Sequence, residues 1–141
     1  MPDRPIYPTP QDAETAFYHA LEHADLETMM SVWAEDEEIV CVFPGGIRLT
    51  GHAAIRAAWQ RIFQRGPGLK VRLSAPTAIV TPLSAAHTVL QHVSLRNDES
   101  THAQHVATNV FVRGALGWRL ALHHVSLAPP DSAQDVPKVL H

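Results

Sequence analysis

The sequence predicts an α+β domain in which three N-terminal helices pack on one face of a curved, mostly antiparallel sheet. Three observations carry this expectation. Apolar residues recur at three- and four-residue steps through the first half of the chain, which is the helical period. The second half is strand-like, in segments parted by turn-rich separators. The two patterns are segregated along the chain, whereas α/β proteins alternate them. A length of 141 residues fits one domain.

The first ten residues carry four prolines and read as an extended arm. Thr9-Pro10-Gln11-Asp12 opens the first helix: Thr9 can cap, Pro10 suits the first helical position, and Asp12 sits at the positive end of the dipole. Ala13, Phe17, Ala20, Leu21 and Ala24 form its apolar face. Asp25 can cap a second, short helix with Leu26, Met29, Met30 and Trp33 on its face. "EEIVCVFPGG" is a short β-rich run stopped at Pro44-Gly45-Gly46. Thr50 or Gly51 opens a third helix, with Ile55, Trp59, Ile62 and Phe63 as its face and Gly66-Pro67-Gly68 as its stop. Strands are expected over 69–81 (broken at Pro76), 86–96, 102–113 and 117–127, joined as an antiparallel meander. The tail has little to bury and is expected to be mobile or to pack late. The organisation is therefore an arm over 1–10, a domain over 11–128 and a Pro-rich tail over 129–141.

Composition excludes several functional classes. Eleven Lys and Arg against fourteen Asp and Glu give a formal charge of −3, so no nucleic-acid partner is expected. No run approaches a spanning length, and "MPDRPIYPTP" lacks the apolar core of a signal peptide, so neither membrane nor export is expected. One cysteine, Cys41, allows no intrachain disulfide and fits a reducing, cytoplasmic compartment. On a β-rich, partly buried run its thiol is expected to be inert. His19 and His23 have a spacing that can place two imidazoles on a metal. They lie off the apolar face with no third ligand, so no metal is expected. No cofactor motif is present: "GPG" at 66–68 lacks the Lys and Ser/Thr of a phosphate loop.

"LALHHVSL" near the end holds two adjacent histidines in an apolar run. Strand alternation groups His124 with Trp118, Leu120, Leu122 and Ser126, and His123 with Arg119, Ala121 and Val125. Neither this strand nor "VATNVFVR" separates apolar from polar parity, whereas a sheet with one solvated face should. Both faces are therefore expected to be covered, one by the helices and one by a second copy, giving a homodimer through the outer sheet face.

Three stretches, "AFYHALEHADLETMMSVWAEDEEIV", "RLTGHAAIRAAWQRIF" and "ATNVFVRGALGWRLALHHVS", together resemble the nuclear-transport-factor-2-like (NTF2-like, cystatin-like) superfamily over about residues 11–128. The resemblance implies a cone with a pocket between the helices and the concave sheet. It places Phe17, Trp33, Phe43, Trp59 and Phe111 where side chains converge on that pocket. His124 and its parity partners Leu122 and Ser126 fall at pocket-facing positions. Ketosteroid isomerase activity is not implied: its base position falls on Cys41 or Val42, its oxyanion tyrosine on Phe17 and its oxyanion aspartate on Asn109. Tyr18, next to Phe17, lies about 100° away around the helix. The SnoaL-like branch implies a small apolar ligand and, if there is catalysis, cofactor-free acid–base chemistry on a carbonyl compound, with His124 as acid or base and Asn109 orienting the carbonyl. The alternative is a non-catalytic oligomerisation module, since the last strands resemble the association domain of calcium/calmodulin-dependent protein kinase II.

Overall fold

The first two helices begin where a side chain accepts from a free amide of the first turn, and the third begins at Gly51 without such a cap. A computed structural model describes residues 4–66 and 68–129. Helix α1 (Pro10–His23) follows Thr9, whose hydroxyl accepts from the Asp12 amide at 3.0 Å. It ends at Ala24, whose left-handed backbone (φ 52°) turns the chain. Helix α2 (Leu26–Ser31) is capped by Asp25, which accepts from the Thr28 amide at 3.1 Å. Helix α3 (His52–Gln64) is tied to α2 by an exposed Arg56–Glu27 ion pair.

Six strands form one sheet: β1 (Val40–Val42), β2 (Arg48–Thr50), β3 (Leu69–Val80), β4 (Ser84–Leu95), β5 (Asp98–Gly114) and β6 (Gly117–Leu127). Their order is β2-β1-β6-β5-β4-β3. The last four make the expected antiparallel meander, and β1 joins β6 in parallel. Two local expectations need correction. The β-rich run is half of a hairpin, because β2 pairs back on β1 through Gly45 and Gly46, both at positive φ. Pro76 does not break its strand. The register shifts between Ser74 and Thr77 around a left-handed Ala75, and β3 continues.

The larger correction concerns β6. Val110 pairs with Leu122 and Phe111 with Leu120, so Ala121 is an extra residue in β6. One extra residue reverses side-chain parity. Trp118 and Leu120 are buried before the bulge, and His123 and Val125 are buried after it. His124 and Ser126 are exposed and Leu122 is half-buried on the outer face. The inward assignment of His124, Leu122 and Ser126 is thus reversed, and His123 is the interior histidine.

The core lies between the helices and the concave face. Phe17, Met29, Trp33, Ile39, Cys41, Ile55, Phe111 and Leu120 are almost completely buried there. No helix among the described residues is long and apolar enough to cross a membrane. Tyr7 bridges to Gly117, so the end of the N-terminal arm adds to the free edge of β6. The behaviour expected of the tail concerns 130–141, outside the described residues.

Candidate active site

Buried strand positions on the concave face should be apolar, yet four are not: His87 and Gln91 on β4, Asn109 on β5 and His123 on β6. All four share the inward parity, and register pairs His87 with Asn109 and Asn109 with His123 across the three strands. Helix α1 lies over them and contributes Glu14 and Tyr18.

Asn109 is the centre of the group. Its Nδ2 donates to Glu14 Oε2 at 2.9 Å and to the Tyr18 hydroxyl at 3.1 Å. A carboxylate accepts only, so the amide nitrogen must face Glu14 and the amide oxygen must face His123. His123 Nδ1 stands 2.6 Å from that oxygen. It is therefore the protonated ring nitrogen, and Nε2 carries the lone pair. Burial pushes the His123 pKa down to about 3, with His124 adding a smaller repulsive effect. The ring is neutral at physiological pH and acts as a fixed donor.

Tyr18 accepts a second bond from Gln91 Nε2 at 2.8 Å. With two donors on its oxygen, the phenol retains its own proton to give. Burial raises its pKa to about 12, outweighing the opposing effect of the bonds from Asn109 and Gln91. Tyr18 is thus a hydrogen-bond donor at neutral pH and not a base. Glu14 Oε1 lies 3.1 Å from His87 Nδ1. Glu14 and Tyr18 both line a cleft of about 300 Å³ between α1 and β3, shared with Thr15, His19, Glu22, Val71 and Leu73. The other members stand behind them in the protein.

The residues expected to wall a pocket pack on one another instead. The Phe17 ring lies 4.5 Å from His123 and 5.8 Å from Trp59, and Phe43 lies 5.1 Å from Trp59. Phe17, Trp33, Trp59 and Phe111 are core, and Phe43 packs half-buried at its margin. Asn109 is interior but bonds to Glu14, Tyr18 and His123, while His124 is on the opposite face of the sheet. Cys41 pairs in register with His123, and burial raises its thiol pKa to about 12. The thiol is protonated and carries no nucleophilic role. His19 and His23 stack at 4.1 Å on α1, and among the described residues no group of three His, Cys, Asp or Glu is placed to hold a metal.

A SnoaL-like domain model matches residues 11–130. The chain belongs to the SnoaL-like family. This SnoaL-like chain is also similar to solved structures of the NTF2-like superfamily. A candidate calcium/calmodulin-dependent protein kinase type II association domain from Thiobacillus denitrificans ATCC 25259 shares 35% identity, with 89% of this chain and 99% of that one covered and a TM-score of 0.81. A candidate dehydratase of the NTF2-like family from Streptomyces avermitilis shares 29% identity over 84% and 92% of the two chains, at a TM-score of 0.75. An NTF2-like protein of unknown function from Pseudomonas putida KT2440 shares 20% identity over 88% and 87%, at a TM-score of 0.74, and shows the fold alone. No curated protein matches the chain.

Sequence reasoning passed over Glu14, His87 and Gln91 and turned Tyr18 away from the site. Glu14 sits in the second turn of α1, between the exposed Gln11, Asp12 and Thr15, where an acid is ordinarily explained as part of a solvated helix face. The buried parity of β4 reads Ala85, His87, Val89, Gln91, which is no more apolar than its opposite. The signal available was the pairing of these polar residues with Asn109, and that required the register.

Proposed function

We propose that this SnoaL-like protein binds a small carbonyl compound in the α1–β3 cleft and performs cofactor-free acid–base chemistry on it. One observation carries the reading: Glu14 and Tyr18 line the same cleft, and buried side chains hold the carboxylate and the neutral phenol from behind. Glu14 is the base that removes a proton beside the carbonyl. Tyr18 donates its hydrogen to the carbonyl oxygen as negative charge develops there. Asn109 orients both groups, His123 orients Asn109, and Gln91 orients Tyr18. An apolar groove of about 320 Å³, lined by Leu21 of α1, Ile62 and Phe63 of α3, Leu69 of β3 and Leu95 of β4 among others, suits the apolar part of such a compound. The reading keeps the expected reaction class and moves it from His124 to Glu14 and Tyr18. The lone, buried Cys41 is in keeping with a reducing, cytoplasmic setting.

The test is proton exchange. Aryl and cyclic ketones are incubated with the protein in deuterated water, and α-carbon deuteration is followed by NMR. Exchange with at least one ketone is expected, slowed about 100-fold or more by Glu14→Gln and about 10-fold or more by Tyr18→Phe. Exchange that is absent, or untouched by Glu14→Gln, contradicts the reading.

The similarity to the association-domain structure favours a second reading, a non-catalytic oligomerisation module. Mass measurement in solution separates the two: a large ring supports the module, a dimer the small-molecule protein.

A further inference from the structure

His87 is a buried polar residue whose presence packing does not explain. It points inward from β4 and is only 4% exposed. Its nearest inward neighbours along the strand are Ala85 and Val89, and its ring meets Phe111 with centroids 5.1 Å apart. A leucine would fill such a setting. The Nε2 of His87 is buried and has no hydrogen-bond partner. An unsatisfied nitrogen in the core lowers stability, so folding alone gives no reason for this residue.

The reason lies at the other ring nitrogen. Nδ1 of His87 stands 3.1 Å from Glu14 Oε1. A carboxylate accepts only, so the favourable arrangement has the hydrogen on Nδ1 and the lone pair on Nε2. Asn109 holds the second oxygen of the same carboxylate, with Nδ2 at 2.9 Å from Oε2. His87 and Asn109 are register partners on adjacent strands. Two neighbouring strands thus present one nitrogen to each oxygen of Glu14.

Exposure separates the two partners. The Glu14 side chain keeps 18% of its surface and lines the α1–β3 cleft. The His87 side chain keeps 6% and is not among the residues that line the cleft. Glu14 is placed to meet a ligand, and His87 is placed to meet Glu14.

We propose that His87 is a positioning residue for Glu14: it fixes Oε1 while Asn109 fixes Oε2, and the carboxylate is held in a single orientation. A free glutamate side chain turns about three bonds, and few of its orientations address a proton beside a bound carbonyl. The unsatisfied Nε2 is what the arrangement costs in stability. The inference deepens the reading of Glu14 as the base and rests on that reading for the reaction, but the fixing of Glu14 is measurable by itself.

The test uses the full chain labelled with ¹³C and ¹⁵N. Three-bond couplings report the Glu14 rotamer, and the ketone exchange assay gives kcat and KM. Wild type is expected to show one Glu14 rotamer. His87→Leu is expected to show averaged couplings, a kcat lower by about tenfold or more and a KM within about twofold of wild type. Its stability is expected to be equal or higher, because the unsatisfied nitrogen is gone. His87→Asn, whose amide nitrogen takes the place of Nδ1, is expected to restore the single rotamer and most of kcat. His87→Gln, whose amide nitrogen takes the place of Nε2, is expected to restore neither. The Asn and Gln variants carry the test if His87→Leu does not fold. A Glu14 equally fixed in His87→Leu, or equal effects of Asn and Gln, overturns the proposal. Absence of exchange in wild type contradicts the catalytic reading alone, and the couplings then decide the role of His87.

Discussion

At the scale of the residue, Asn109 holds the interior polar group together. One amide serves Glu14, Tyr18 and His123, and replacing it strands two groups that are otherwise satisfied. Asn109→Leu is expected to lower stability by about 2–4 kcal/mol, measured by urea unfolding. His123 gives a second prediction. Unfolded, its ring takes up a proton below about pH 6.5. Folded, it does so only near pH 3. The unfolded state thus binds more protons in between, and stability falls as pH drops through that window, by up to about 1.4 kcal/mol per pH unit from this ring. Asp25 acts in a different window. Its pKa is lowered first by the Thr28 hydroxyl, so its stabilising effect is present above the ordinary carboxylate value and is lost only in stronger acid. His123→Gln keeps a donor toward Asn109 and removes the titration. A shallower stability profile between pH 6.5 and pH 4 is expected.

At the scale of the element, the helices were legible because their signals are local. Thr9, Asp25 and the three- and four-residue apolar spacing each act within one or two turns. The bulge at Ala121 was not legible, because nothing in "RLALHHVS" distinguishes eight regularly alternating residues from seven and an insertion. Its consequence was large: Leu122, His124 and Ser126 changed faces, and His123 entered the site. Tyr18 was missed for a related reason. The buried face of α1 includes both Phe17 and Tyr18, so it is wider than a single apolar stripe. Two variants test these elements. Deleting Ala121 removes the extra residue and leaves Leu120, His123 and Val125 inward and Leu122 and His124 outward in regular alternation, so cooperative unfolding is expected to survive, whereas its loss would contradict the assigned bulge. Gly68→Ala puts a Cβ within 2.5 Å of the Glu22 carbonyl at a backbone φ of +90°. A loss of about 2 kcal/mol or more is expected from strain and clash together.

At the scale of the whole molecule, the fold class was readable from the order of helical and strand patterns, and the chain has the expected α+β architecture. The covering of the outer sheet face is a separate matter. Leu90, Val106, Val110 and Leu122 are half-buried there, and Val112 is exposed. These residues stand beside Thr88, Thr108 and His124, a mixture that fits a protein interface better than a face left to water. We propose that a second copy covers it. Light scattering at micromolar concentration is expected to give a dimer, and Val110→Arg a monomer. A wild-type monomer would contradict this.

The central claim is that His123, locked as the Nδ1–H tautomer against Asn109, completes the interior network behind Glu14 and Tyr18. The most direct test is ¹⁵N NMR of the histidine rings from pH 7 to pH 4. His123 is expected to show a protonated Nδ1 and an unprotonated Nε2 throughout. Titration of His123 near pH 6.5, or an Nε2–H tautomer at neutral pH, would contradict it.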